Sequence, residues 1–173
     1  PLLAGVIKEV KSRSQPPAKK SARIMVVGAQ VDDTALMEVI EGSDANLVID
    51  DLCVGTRVYW PDVSATGDPI GSLAERYLSK IMCPRTYREK TGAYRQYLED
   101  RFGHIGRFIR DFKVDGVILY IYKYCDPYGF EVPAIKSYIE SLNIPVLYLE
   151  DEYSLSSISR LKTRIQAFLE LMG

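Results

Sequence analysis

Four stretches of the chain are apolar without alternation, and segments with helical spacing of apolar residues separate them. The longest, Val117-Ile118-Leu119-Tyr120-Ile121-Tyr122, continues to Lys123 before a charged residue interrupts it. A strand with one wet face alternates, so an unbroken run predicts a strand covered on both sides. Arg23-Ile24-Met25-Val26-Val27-Gly28 reads the same way, as do the shorter runs Ala45 to Asp50 and Pro145 to Glu150. Between them, Asp32 to Glu41 predicts a helix carrying Leu36, Val39 and Ile40 inward, its two aspartates suiting a helix start. Asp68-Pro69 opens another, with Leu73, Tyr77, Leu78 and Ile81 as the expected buried stripe. The clearest period runs from Tyr94 to Phe112, through Leu98, Phe102, Ile105, Phe108 and Ile109. A helical pattern begins around Pro133, buries Ile135, Tyr138, Ile139 and Leu142, and ends at Asn143. The last covers Ile158 to Met172, through Leu161, Ile165, Phe168 and Leu169.

Strands alternating with helices predict right-handed βαβ units. The expected fold is α/β, a flavodoxin-like doubly wound four-stranded parallel sheet of order 2-1-3-4 with helices on both faces. Two stretches carry no period: Leu52 to Pro69, with Cys53, Arg57, Tyr59 and Trp60, and Met82 to Gly92, with Cys83. Loops of such length in a compact domain are often functional. Pro1 to Lys11 fits a short helix with Leu2, Leu3, Val6, Ile7 and Val10 on one side, and Ser12 to Ser21 reads as a solvated connector. The expected division is a lead over 1–21 and one α/β domain over 22–173.

The 173 residues, 47% of them hydrophobic, suffice for one core, and the net charge of -1 argues against nucleic acid and anionic membrane as partners. No run has transmembrane length and no signal peptide opens the chain. Three cysteines, an odd number, point to free thiols in a reducing cytoplasm. The first residue is Pro1 rather than Met, so the chain reads as a processed or excised piece of something longer.

In the expected topology Gly28-Ala29-Gln30, Asp50-Asp51-Leu52-Cys53, Lys123-Tyr124-Cys125-Asp126 and Glu150-Asp151-Glu152-Tyr153 meet at the carboxyl edge of the sheet, where open α/β sheets bind ligands. The edge is acidic and lacks both G-x-G-x-x-G and G-x-x-x-x-G-K-[ST], which argues against a nucleotide in this domain. The cysteines are 30 and 42 residues apart, with no C-x-x-C pair for zinc. The only histidine, His104, lies inside the long helix, away in sequence from any thiol it would activate, and is read as a partly buried helix residue. Iron ligation by thiolate remains. Cys53 and Cys125 follow strands separated by one other, about 10 Å apart, so one ligand from this chain plus outside ligands is expected. All three cysteines also admit a reading as small hydrophobes. Arg57, Tyr59 and Trp60 are read as lining a substrate pocket or as solvated loop residues.

Several blocks then fall in a familiar order: Arg23-Ile24-Met25-Val26-Val27-Gly28, Asp50-Asp51-Leu52-Cys53-Val54-Gly55-Thr56-Arg57, Asp68-Pro69 leading to Ala74-Glu75-Arg76-Tyr77-Leu78, Cys83-Pro84-Arg85, Asp115-Gly116-Val117-Ile118, Lys123-Tyr124-Cys125-Asp126-Pro127-Tyr128-Gly129-Phe130 and Ile144-Pro145-Val146-Leu147. From Arg23 onward the chain resembles the 2-hydroxyacyl-CoA dehydratase component D / benzoyl-CoA reductase subunit family, specifically the C-terminal of two flavodoxin-like halves. The resemblance implies an oxygen-sensitive [4Fe-4S] subunit, completed by ligands outside this chain. It implies three protein partners: the N-terminal half, a related second subunit and an ATP-dependent iron–sulfur activator. In the dehydratases an electron enters the carbonyl of a (R)-2-hydroxyacyl-CoA thioester, and the resulting ketyl radical expels the hydroxyl to give an enoyl-CoA. Cys125 matches the ligand contributed by the C-terminal half; Cys53 and Cys83 are structural or serve larger clusters. A half subunit is not expected to catalyse alone. Two alternatives stay open: a subunit of a benzoyl-CoA-reductase-type or double-cubane-type reductase, and a metal-free scaffold or interaction domain.

Overall fold

The computed structural model describes residues 1–15, 18–65, 67–90, 92–152 and 158–173. Strands β1 (Ala22–Gly28), β2 (Ala45–Asp51), β3 (Gly116–Tyr122) and β4 (Val146–Asp151) form one parallel sheet in the order β2-β1-β3-β4, as the run pattern requires. β2 carries one extra residue, Val48, between the partners of Ile24 and Met25. Alternate residues of the buried strands serve two separate cores. Met25, Val27, Val117, Leu119 and Ile121 face α5 (Tyr94–Asp111) and α7 (Val132–Glu140). Ile24, Val26, Ile118, Tyr120 and Leu149 face α2 (Ala35–Gly42) and α8 (Ile158–Met172). Helices cover both faces, which is why β1 and β3 do not alternate.

The chain leaves β1 toward β2 on one side and returns across β1 to β3 on the other. The reversal opens a switch point between β1 and β3. Gly28 lies there, opposite Tyr120, and its approach is so close that an added Cβ would stand 1.9 Å from the Tyr120 carbonyl oxygen.

Local corrections have local causes. α2 begins at Ala35 rather than Asp32, because the Asp33 carboxylate accepts the Ala35 N–H (2.8 Å) and holds the chain in a turn until Thr34. The unpatterned stretch after β2 contains a one-turn helix, α3 (Thr56–Tyr59). It starts on a remote cap: Asp50 accepts the Thr56 N–H (2.9 Å) and hydroxyl (2.7 Å). α6 (Asp126–Gly129) precedes α7, so helical structure begins before the neighbourhood of Pro133. Tyr94 opens α5 but is exposed, so the buried stripe begins at Leu98. α1 (Leu2–Ser12) buries none of its residues.

The segment after Asp68 departs furthest. α4 (Pro69–Ala74) opens as predicted, with Pro at its start and the Asp68 carboxylate accepting the N–H groups of Ile70 (3.0 Å) and Gly71 (2.9 Å). Removing this cap by Asp68→Ala is expected to cost about 1 kcal/mol; equal denaturation midpoints for variant and parent would contradict it. The helix then widens into a π turn, Glu75–Ser79, which shifts the phase of the residues that follow. Leu73, Tyr77 and Leu78, expected inside, are 44%, 55% and 73% exposed. Arg76 turns inward instead, donating to the carbonyls of Pro61 (2.9 Å) and Val58. Those two loop carbonyls decide which face is buried.

Candidate functional site

At the carboxyl edge the ends of β1, β2 and β3 are tied together. The Ala29 N–H donates to the Tyr120 carbonyl (3.3 Å) and the Cys53 N–H to the Ala29 carbonyl (3.3 Å). Further along, the Lys123 N–H donates to the Asp151 carbonyl (2.7 Å), and Lys123 pairs with Glu152 (2.6 Å). Tyr153 of the fourth expected loop lies outside the described residues.

Beneath this edge lies a buried polar cluster centred on Asp51, the last residue of β2. Arg57, on α3, is only 2% exposed. Its Nε meets Asp51 Oδ1 and its Nη2 meets Oδ2, both at 2.9 Å, the bidentate geometry that suits guanidinium and carboxylate. The same Nη2 reaches the Asp51 carbonyl (2.6 Å), the Gly28 carbonyl (3.3 Å) and the Tyr128 hydroxyl (3.2 Å) on α6. Nη1 reaches Cys53 Sγ (3.5 Å). His104, buried on α5, places Nε2 3.3 Å from Asp51 Oδ2. One guanidinium thus braces the ends of β1 and β2, the Cys53 thiol and the short helix that follows Cys125.

Electrostatics follow from this geometry. Burial pushes the Asp51 carboxyl up, but the His104 hydrogen bond and the Arg57 charge more than offset it and hold it below the ordinary value. Burial pulls the Arg57 guanidinium down, and the Asp51 charge and hydrogen bonds raise it further, so it stays protonated. Burial is also the main cause of the raised Tyr128 phenol. Tyr128 is therefore a neutral hydroxyl that accepts from Arg57.

The cysteines sit above this cluster. Cys53 is exposed, and Cys83 and Cys125 are half-buried and free, so none is a fully buried small hydrophobe. Partial enclosure raises the Cys53 thiol, the Arg57 charge pulls it back, and Cys83 and Cys125 lie near enough that charge on either raises it again. Cys53 is thus the thiol within electrostatic range of the other two. Among the described residues, however, no three His, Cys, Asp or Glu side chains form a group able to hold a metal ion. A cubane takes up to four thiolates. The donor set would fit one corner of such a group, through the half-buried Cys125 at the switch point, with the other corners supplied from outside the described residues.

Trp60 is half exposed and rests edge-on against Phe108 (centroids 4.9 Å apart), and Tyr59 is exposed. Arg57, grouped with them on sequence, faces the opposite way, into the protein. Sequence reasoning missed that Asp51, Arg57, His104 and Tyr128 converge. The available signal was an aspartate ending an apolar strand, a buried charge that demands a partner.

Among the described residues no helix is long and apolar enough to cross a membrane. A family model described as 2-hydroxyglutaryl-CoA dehydratase, D-component, matches residues 1–172. The chain is 26% identical over 160 residues to the (R)-phenyllactyl-CoA dehydratase beta subunit of Clostridium sporogenes, covering 91% of this chain and 40% of that protein. It is 29% identical over 153 residues to the putative dehydratase subunit YjiM of Escherichia coli K12, covering 87% and 37%. With the lactoyl-CoA dehydratase subunit beta of Anaerotignum propionicum it shares 24% over 172 residues, covering 99% and 44%. The chain therefore spans about two-fifths of the length of these curated relatives. Since the family match extends along almost every residue, across the edge that carries Asp51, Arg57 and Cys125, the chain belongs to the 2-hydroxyglutaryl-CoA dehydratase D-component family.

Proposed function

We propose that this chain is the C-terminal half of an iron–sulfur subunit of a 2-hydroxyacyl-CoA dehydratase-type enzyme, and that Cys125 donates one thiolate to a [4Fe-4S] cluster. The observation that carries the reading is the half-buried, free Cys125 thiol just past β3 at the sheet's switch point, in a chain that matches a dehydratase family along its length. When bound, the cluster supplies one-electron chemistry to the thioester substrate. The chain's own residues hold the edge that presents it. Cys125 is the residue immediately before α6, and its carbonyl accepts the N–H groups of Tyr128 (3.0 Å) and Gly129 (2.8 Å). Arg57 fixes that helix through the Tyr128 hydroxyl. Tyr124, at a φ of 65° and exposed, turns the chain sharply just before Cys125. The proposed partners are the remainder of the subunit and a second subunit, in keeping with the two relatives named as beta subunits. An ATP-dependent activator completes the proposed set.

The test is anaerobic reconstitution with iron and sulfide of this chain, its Cys125→Ala variant, and a longer version carrying the upstream half. The longer version is expected to bind about four irons, and Cys125→Ala within it to abolish binding. No iron in the longer version, or binding unaffected by Cys125→Ala, would remove the cluster role and favour the scaffold reading. That Cys53 feels the charge of both Cys83 and Cys125 supports a second reading, a double-cubane-type reductase. It requires more iron than one cubane holds, and loss of part of it in Cys53→Ala or Cys83→Ala.

A further inference from the structure

Behind the thiol edge, on the α5 side of the sheet, lies a cavity of about 130 Å³ whose lining is almost entirely polar. It is bounded by Lys80, Arg88, Arg101 and Arg107, with Glu99 and Asp100 opposing them. The six charges are not equivalent. Lys80 is paired with Glu75 (3.1 Å) and Arg101 with Glu131. Glu99 accepts from the Tyr138 hydroxyl (2.7 Å) and Asp100 from the Gln96 amide (2.8 Å), neutral donors that orient the two carboxylates and leave their charge on the wall. Arg88 is half-buried and held in place by two neutral carbonyls, those of Ile81 (3.2 Å) and Tyr87 (3.0 Å), which orient its guanidinium without balancing its charge. Arg107 has no hydrogen bond or ion pair among the described residues. Two guanidinium groups that form no ion pair among the described residues therefore border one polar cavity, whose wall carries four cations against two carboxylates.

Guanidinium is weakly hydrated, flat and matched to two oxygens at once, so its usual complement is phosphate or carboxylate. The volume admits one such group and little more. We infer that this cavity is an oxyanion-binding site, with Arg88 and Arg107 as the primary ligands. Its position gives it a route to the thiol edge. Cys83 and His104 both line it, and His104 contacts Asp51 on the far side. A bound oxyanion thus lies one side chain from the Asp51–Arg57 pair. The acidic strand-end loops, which disfavour phosphate at the carboxyl edge itself, do not line this cavity. Two sources present the same chemistry: a phosphate carried by a nucleotide-bearing thioester, and a carboxylate on an acyl chain.

The experiment titrates the full chain with inorganic phosphate and, separately, with acetate, each against sodium chloride of equal ionic strength. Thermal midpoint and, for phosphate, 31P line width are read. A saturable rise in midpoint beyond the chloride control is expected. The Arg88→Gln/Arg107→Gln double variant is expected to raise the apparent Kd by about tenfold or more, the loss of charge-assisted hydrogen bonds. Arg107 is exposed, so Arg107→Gln alone keeps the parent midpoint without ligand while weakening binding. Lys162→Gln, on the exposed side of α8, leaves binding unchanged. Stronger response to phosphate assigns the site to a phosphate-bearing ligand, and stronger response to acetate assigns it to an acyl carboxylate. No saturable shift, or a shift that survives in the double variant, overturns the inference. Because the probes are inorganic phosphate and acetate, the outcome is independent of whether iron reconstitution succeeds.

Discussion

Replacing Arg57 by Met is expected to destabilise the chain by about 3–5 kcal/mol, the cost of breaking a buried ion pair from one side. Methionine fills much of the same volume, so the loss is that of charge rather than packing. The Asp51 carboxylate, wholly buried, would be left with His104 as its one remaining side-chain partner. The Gly28 carbonyl, the Tyr128 hydroxyl and the Cys53 sulfur each lose a donor at the same time. Asp51→Asn together with Arg57→Met should cost less than the sum of the two single changes, since the second removes the charge stranded by the first. The penalty also has a pH signature. In the parent the folded Asp51 carboxyl titrates below its ordinary value of 3.8, so its contribution is present above about pH 4 and is lost as the pH falls through the folded value. In Arg57→Met the charge that helps hold the carboxyl low is gone, and protonation relieves the stranded charge. The stability gap between parent and variant should therefore narrow as the pH is lowered through 4. Urea denaturation across that range checks this, and a gap independent of pH would mean the pair is not the source.

Gly28→Ala is expected to cost about 3 kcal/mol, at the upper end for overpacking. The added Cβ would lie 1.9 Å from the Tyr120 carbonyl oxygen and 3.0 Å from its carbon. Both are backbone atoms of the central strand, and no rotamer can move them aside. Relief requires β1 and β3 to part at their carboxyl ends, where the Ala29 N–H donates to that same oxygen and Arg57 reaches the Gly28 carbonyl. The substitution should also loosen the cysteine-bearing loops. Cys53 and Cys125 are expected to react faster with a bulky alkylating reagent in the variant, while Cys83, in the later break, changes little. Unchanged denaturation and unchanged alkylation would show that the strands part without consequence.

Arg57 also marks the limit of what local pattern reveals about the site. Its place in an unpatterned stretch, beside Tyr59 and Trp60, suggested a substrate-pocket wall or a solvated loop residue. Its partners are 6, 29 and 71 residues away in the chain, at Asp51, Gly28 and Tyr128. His104 was isolated in sequence from every other candidate group, yet it meets Asp51 across 53 positions. The exposed faces of Leu73, Tyr77 and Leu78 depended on two carbonyls, at Val58 and Pro61, that have no signature in sequence.

By itself, the sequence determined the four strands, their parallel order, the large helices, and the edge at which Cys53 and Cys125 stand. Those features depend on apolar runs and periods, and burial of a covered strand or an amphipathic helix is written residue by residue along the chain. Only the tertiary structure decided which charges pair, that Arg76 in the π turn after α4 points inward, and that Cys53 comes within electrostatic range of Cys83 and Cys125. Hydrophobic burial needs only any apolar surface opposite, whereas a buried charge needs one particular group within about 3 Å. That group is supplied by whichever loop the finished sheet brings alongside.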